Sequence, residues 1–138
     1  MGNCKTTVEI GDIFLIKANE ENGITPKYGD LYRQKFFIVM GKAPDGSIYG
    51  CVHFNSDLNR EYIAPGYEEF YLPISDKEYS FLDHDSYIDC VKLKVASESK
   101  LLSGIFMGQI KQIHYNAIKQ KVCLSPRNES LFLRMLGL

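Results

Sequence analysis

Apolar and polar positions fall in short blocks along this chain, and the clearest pair of blocks flanks a turn. Phe36-Phe37-Ile38-Val39-Met40 is an unbroken run of β-formers, Ala43-Pro44-Asp45-Gly46-Ser47 carries three turn-favouring residues, and Ile48 to Phe54 returns as a second strand. Parity sets Ile48, Gly50, Val52 and Phe54 on one face, with Tyr49, Cys51, His53 and Asn55 on the other. The pattern therefore predicts a core hairpin with a decorated outer face, and any chemistry is expected on that second face or at the Asn55-Ser56 end.

The remaining blocks extend this picture. Val8 to Ala18 predicts a first strand, apolar on both faces over Ile13-Phe14-Leu15-Ile16. Asn19 to Gln34 is polar and broken by glycines, which predicts a long mobile loop, and Asp57 to Tyr67 predicts a second polar loop. Glu69 to Leu72 forms a short strand ended by Pro73, Ser75 to Ser86 is irregular, and Tyr87 to Val95 is a strand in which Ile88 breaks phase, as at a bulge. Helical spacing begins near Met107 and runs to Lys121, with Gly104 and Gly108 marking its approach and Ile110, Ile113, Ala117, Ile118 and Lys121 on one stripe. A second helix is predicted from Ser125 as N-cap and Pro126 at the first position, using Leu131, Met135 and Leu136 as apolar contacts and Gly137 as its stop. Strands first and helices last imply a mainly β domain, a small curled sheet or barrel closed by one or two C-terminal helices.

Composition narrows the class. A chain of 138 residues, 45% hydrophobic and 24% charged, suits a single domain, with the barrel over about 8–95 and the helical part over about 105–138. No apolar run approaches the ~20 residues of a membrane span, and the first residues lack the apolar core of a secretory signal, so a soluble cytoplasmic protein is expected. Cys4, Cys51, Cys90 and Cys123 are widely spaced, which suggests buried thiols in a reducing compartment rather than a zinc site or disulfide scaffold. A formal net charge of -1 argues against a general nucleic-acid coat but not against a local basic patch. Asp83-His84-Asp85 reads as a polar loop, no Gly-x-Ser-x-Gly elbow or phosphate-cradling glycine loop occurs, and no metal or cofactor is expected.

The order of segments resembles the MazF/PemK family of bacterial toxin ribonucleases. Gly11-Asp12-Ile13-Phe14-Leu15-Ile16 is similar to the family's opening strand, and Lys35-Phe36-Phe37-Ile38-Val39-Met40 to its Arg-Pro-Val-Val-Val element. Cys51-Val52-His53-Phe54-Asn55-Ser56 resembles its strand ending in Thr or Ser, and Asp89-Cys90-Val91-Lys92 its Asp-Gln-Val-Lys/Arg segment. The resemblance spans about Val8 to Val95 and implies an SH3-like barrel that dimerises and cleaves single-stranded RNA without metal, restrained by an antitoxin protein. The family's Arg-Pro pair is Lys35-Phe36 here, Arg33 stands two residues early, and the Thr/Ser position aligns with Ser56 or is taken by Asn55.

Metal-free RNA cleavage needs a base for the 2′-OH, an acid for the leaving oxygen and cations for the phosphorane. Arg33 and Lys35 can supply charge, His53 can exchange a proton near neutral pH, and Asn55 or Ser56 can hydrogen-bond a phosphate oxygen. Tyr28, Tyr32 and Asp89 are the expected substrate-binding residues, the tyrosines by stacking unpaired bases. Equally, His53 reads as an exposed cross-strand residue and Lys35 as a solvated edge charge. The alternative function is a catalytically silent barrel that binds a peptide or nucleic acid. The apolar positions of the last helix encircle too much of it for one intramolecular contact, which implies a homodimer through this helix or the edge strands.

Overall fold

The computed structural model describes residues 5–26, 29–55 and 66–138. Its main body is one antiparallel sheet of six strands: β1 (Asp12–Ala18), β2 (Arg33–Lys42), β3 (Ile48–Asn55), β4 (Tyr71–Ile74), β5 (Ser86–Ala96) and β6 (Ile105–Gln109), in the spatial order β4-β5-β3-β2-β1-β6. Three short α-helices, α1 (Glu98–Leu102), α2 (Gln112–Leu124) and α3 (Ser130–Met135), and two 3-10 turns, Glu20–Asn22 and Glu68–Phe70, accompany it among the described residues. None is long and apolar enough to cross a membrane.

The hairpin forms as its turn residues dictate. Ala43 N–H donates to Ser47 O, the Asp45 carboxylate accepts from Ser47 N–H, and Gly46 takes a left-handed φ of 93° that a Cβ would strain. The expected outer face is in fact covered. Ile48 and Val52 enter one core with Phe14, Ile16, Phe37, Val39 and Leu101, while Cys51 enters a second with Ile38, Met40, Ile88, Leu93, Ile118, Val122 and Leu133. α1 closes the first face, and α2 with α3 closes the second.

Two irregularities in the ladder position the site. Val39 pairs with Gly50 and Gly41 with Tyr49, so Met40 is an extra residue in β2. In β5 the break is larger. From the Gly50–Lys94 pair to the Val52–Asp89 pair, β5 advances five residues while β3 advances two. Residues 90–93 thus face only Cys51 on β3, a wide bulge of the kind Ile88 signalled.

Several expectations are corrected. Ile105 to Gln109 is a strand on β1, not the approach to a helix, and α2 begins only at Gln112. Its buried positions are Ile118 and Val122, whereas Ile113 is 72% exposed because it faces away from the sheet. Ser125 and Pro126 start no helix. Ser125 ends α2, and Ser125 to Asn128 is a turn before α3. Gly137 does stop α3, with a φ of 81°. The first part of the Asn19–Gln34 loop is tied down: Asn19 and Asn22 cap a single 3-10 turn, Asn22 donates to Val95 O, and Ile24 is buried. The Asp57–Tyr67 loop falls, but for its last two residues, outside the described residues. Cys51 and Cys90 are buried thiols, but Cys123 is exposed, and Cys4 lies outside the described residues.

Candidate functional site

Antiparallel pairing aligns one residue from each strand into a row whose side chains share a face. That row reads Phe106 on β6, Phe14 on β1, Phe37 on β2, Val52 on β3, Asp89 on β5 and Tyr71 on β4. Four apolar residues are followed by a carboxylate and a phenol. Asp89 is only 6% exposed, and Lys35, two residues before Phe37 on the same face of β2, is 4% exposed. A buried carboxylate and a buried ammonium on one otherwise apolar face are costly in folding energy, and such arrangements concentrate at functional sites.

Each group is held by defined contacts. Lys35 Nζ donates to His53 O at 3.0 Å, which carries the ammonium across to β3. Asp89 Oδ1 accepts from Val91 N–H at 2.9 Å inside the bulge. Burial raises the Asp89 carboxyl above the usual carboxylate range, against the Val91 hydrogen bond and the charges of Lys94 and Lys35, which pull it down. Burial also pushes the Tyr71 phenol up to about 12, helped by the negative charge of Asp89 and by Cys90. The neighbouring Cys90 thiol and burial raise the Cys51 thiol, so Cys51 is not primed as a nucleophile.

His53 is buried, not an exposed strand residue, and its ring lies on the opposite face from Lys35 and Asp89. It packs on Phe36 at a centroid distance of 4.7 Å, and Phe36 packs at the same distance on Phe81. Phe36 N–H donates to Nδ1 at 3.0 Å, so the neutral ring carries its proton on Nε2. This geometry makes the ring a donor, and the main chain of His53 the part that meets Lys35. Lys35 likewise is no solvated edge charge. No family model and no curated protein matches the chain. The site therefore rests on its own geometry.

The other predicted site residues divide. Arg33 opens β2 opposite Ala18, on the face of Lys35 and only partly buried. Asn55 closes β3 opposite Ser86, and Ser56 and Tyr28 lie outside the described residues. Tyr32 is partly exposed under the Lys17 ammonium, 5.1 Å from its ring centroid, on the run into β2. Tyr71 joins the site through the sheet register, which sets it opposite Asp89 and which no local pattern shows. In the Asp83-His84-Asp85 stretch, His84 bonds Asp83 at 2.6 Å and Asp85 accepts from Asp76 N–H, as a polar loop does. Among the described residues no three His, Cys, Asp or Glu side chains converge as a metal site would require. His114 is drawn inward, its Nδ1 2.7 Å from the Tyr79 hydroxyl, which also accepts from Lys111 N–H.

The raised Asp89 carboxyl has a stability consequence. Its folded-state value lies above its unfolded one, so its contribution is favourable in acid and is lost as pH rises through the folded value. Asp89→Asn is accordingly expected to unfold at higher urea concentration than the wild type at pH 7, with the advantage vanishing below pH 4. Equal or lower stability of the variant at pH 7 would show that Asp89 is net stabilising as an anion.

Proposed function

We propose that this domain is a metal-independent endoribonuclease of the MazF/PemK type, cleaving single-stranded RNA as the toxin half of a toxin–antitoxin pair. The observation that carries the reading is Asp89 buried on the same face as Lys35, since a carboxyl raised by burial within the field of a fixed ammonium suits proton transfer on a phosphodiester. The open six-stranded sheet with its C-terminal helices is compatible with an SH3-like barrel, and closure of that barrel is part of the proposal.

In this reading the Asp89 carboxylate takes the proton of a ribose 2′-OH. The 2′ oxygen attacks the adjacent phosphorus and the bond from phosphorus to the 5′ oxygen breaks. Lys35 stabilises the phosphorane and gives a proton to the departing oxygen, with Arg33 as a second cation. The products are a 2′,3′-cyclic phosphate and a 5′-hydroxyl, and solvent restores both proton states. His53 acts as a positioning residue through its carbonyl. Tyr32 and Tyr28 offer stacking surfaces, and Asn55 or Ser56 a hydrogen bond to phosphate. Exposed Leu131 and Met135 on α3 support a homodimer, and the reading takes the domain as cytoplasmic.

Purified protein incubated with a long single-stranded RNA in EDTA tests the chemistry, and sedimentation of the same preparation tests the dimer. Cleavage is expected, falling at least about 100-fold in Lys35→Ala and Asp89→Asn. Intact RNA, or cleavage unchanged in both variants, would overturn the enzyme, and retention of RNA without cleavage would favour a silent binding module.

A further inference from the structure

Where β5 leaves its ladder with β3, its peptide groups need partners from elsewhere, since an orphaned buried amide costs as much as a lost hydrogen bond. The turn after α2 provides them. Asn128, 8% exposed, accepts from Leu93 N–H through Oδ1 at 2.9 Å. Its Nδ2 donates to Val91 O at 3.2 Å and to Val122 O at 3.0 Å, while Ser125 Oγ donates to the same Val91 oxygen. On the other side of the Val91 Cα, Val91 N–H donates to Asp89 Oδ1. One residue thus joins the end of α2 to the two peptide units around Lys92, the first of which carries Val91 O, and across the Val91 Cα the Val91 N–H holds one oxygen of the Asp89 carboxylate.

We infer that Asn128 is a positioning residue for Asp89, setting its carboxylate through the peptide groups of Val91. Among the described residues, the charged and titratable groups that act on Asp89 are Lys35 from β2, Lys94 further along β5, Tyr71 from β4 and, from the opposite face, the Cys51 thiol. None belongs to α2, α3 or the turn between them. Among the described residues, the bulge is the route by which a change at Asn128 reaches the Asp89 carboxyl. The importance of this for RNA cleavage rests on the function proposed above, whereas its effect on Asp89 does not.

The test follows the Asp89 carboxyl carbon by NMR across pH in the full chain, assigned with Asp89→Asn. The uncharged variant Asn128→Ala is expected to raise the Asp89 midpoint by at least about half a pH unit, as the Val91 hydrogen bond that favours the anion is loosened. Ser125→Ala, which keeps Asn128 and loses one bond to Val91 O, is expected to move it the same way by less. A folded Asn128→Ala protein with an unmoved midpoint would overturn the inference. Should that variant not fold, an unmoved midpoint in Ser125→Ala would do so. In the RNA assay the acidic limb of the pH profile is expected to move with the midpoint. Absence of cleavage by the wild type would remove the proposed function and leave the titration result standing.

Discussion

Gly50→Ala is expected to destabilise the protein by about 3 kcal/mol or more, the cost of forcing an atom into a packed sheet where the backbone must yield. A Cβ on Gly50 would stand 2.1 Å from Ile38 O and 2.6 Å from Phe37 Cε1. The first of these is a main-chain oxygen of β2, beside the point where Met40 is squeezed into the ladder, so it cannot move without breaking pairing on both sides. Gly46 is the useful comparison. A Cβ there meets nothing within 4 Å, and only its φ of 93° is strained, so Gly46→Ala is expected to cost about 1 kcal/mol. Urea unfolding of the two variants measures the difference. A Gly50→Ala midpoint equal to that of Gly46→Ala would mean the ladder shifts freely at this position.

The second large effect belongs to Asp12, which is wholly buried. Its carboxylate accepts from Glu9 N–H at 2.9 Å and from Gln109 Nε2 at 2.9 Å, and meets Lys5 Nζ at 3.3 Å. Next to it, Gly11 N–H donates to Val39 O and Gly11 O accepts from Ile110 N–H, so the Gly-Asp pair fastens the N-terminal turn, β2 and the end of β6 at one point. Asp12→Ala leaves several of these groups without a partner and is expected to lower stability by about 3 kcal/mol. Asp12→Asn keeps one acceptor and is expected to recover part of the loss. Thermal unfolding of both variants would decide the matter, and a loss below about 1 kcal/mol for the alanine variant would mean water replaces the carboxylate readily.

What was legible in the sequence was whatever depends on neighbours along the chain. The β2–β3 hairpin follows from Pro44, Asp45 and Gly46, the α3 stop from Gly137, and the phase break at Ile88 gave notice of the bulge. Features that depend on distant partners were not legible. Ile105-Phe106-Met107 is too short for its period to distinguish strand from helix, and only β1 makes it a strand. Ser125-Pro126 has the composition of a helix start, yet Ser125 serves the bulge in β5, 34 positions back along a chain whose pairing no local pattern encodes. Lys35 and His53 were named, but parity on a single strand could not say that the Lys35 side chain reaches the main chain of His53 while the ring turns away. Asp89 came from family resemblance alone, and Tyr71 beside it became visible only when β4 paired with β5.

The pairing of β1 with β6 also dictates when the sheet can be finished. Asp12 lies opposite Gln109, and the hydrogen bond between their side chains spans 97 positions of sequence. During synthesis, β1 to β5 can associate as they emerge, but one side of β1 stays bare and Asp12 lacks Gln109 until the chain has been made past that residue. The contact that completes the first strand is thus expected to close late, since loop-closure entropy must be overcome before a distant pair forms. A chain cut short before Ile105 would leave β1 as an edge strand in place of β6, with its backbone groups on that side unpaired and open to proteolysis or chaperone capture.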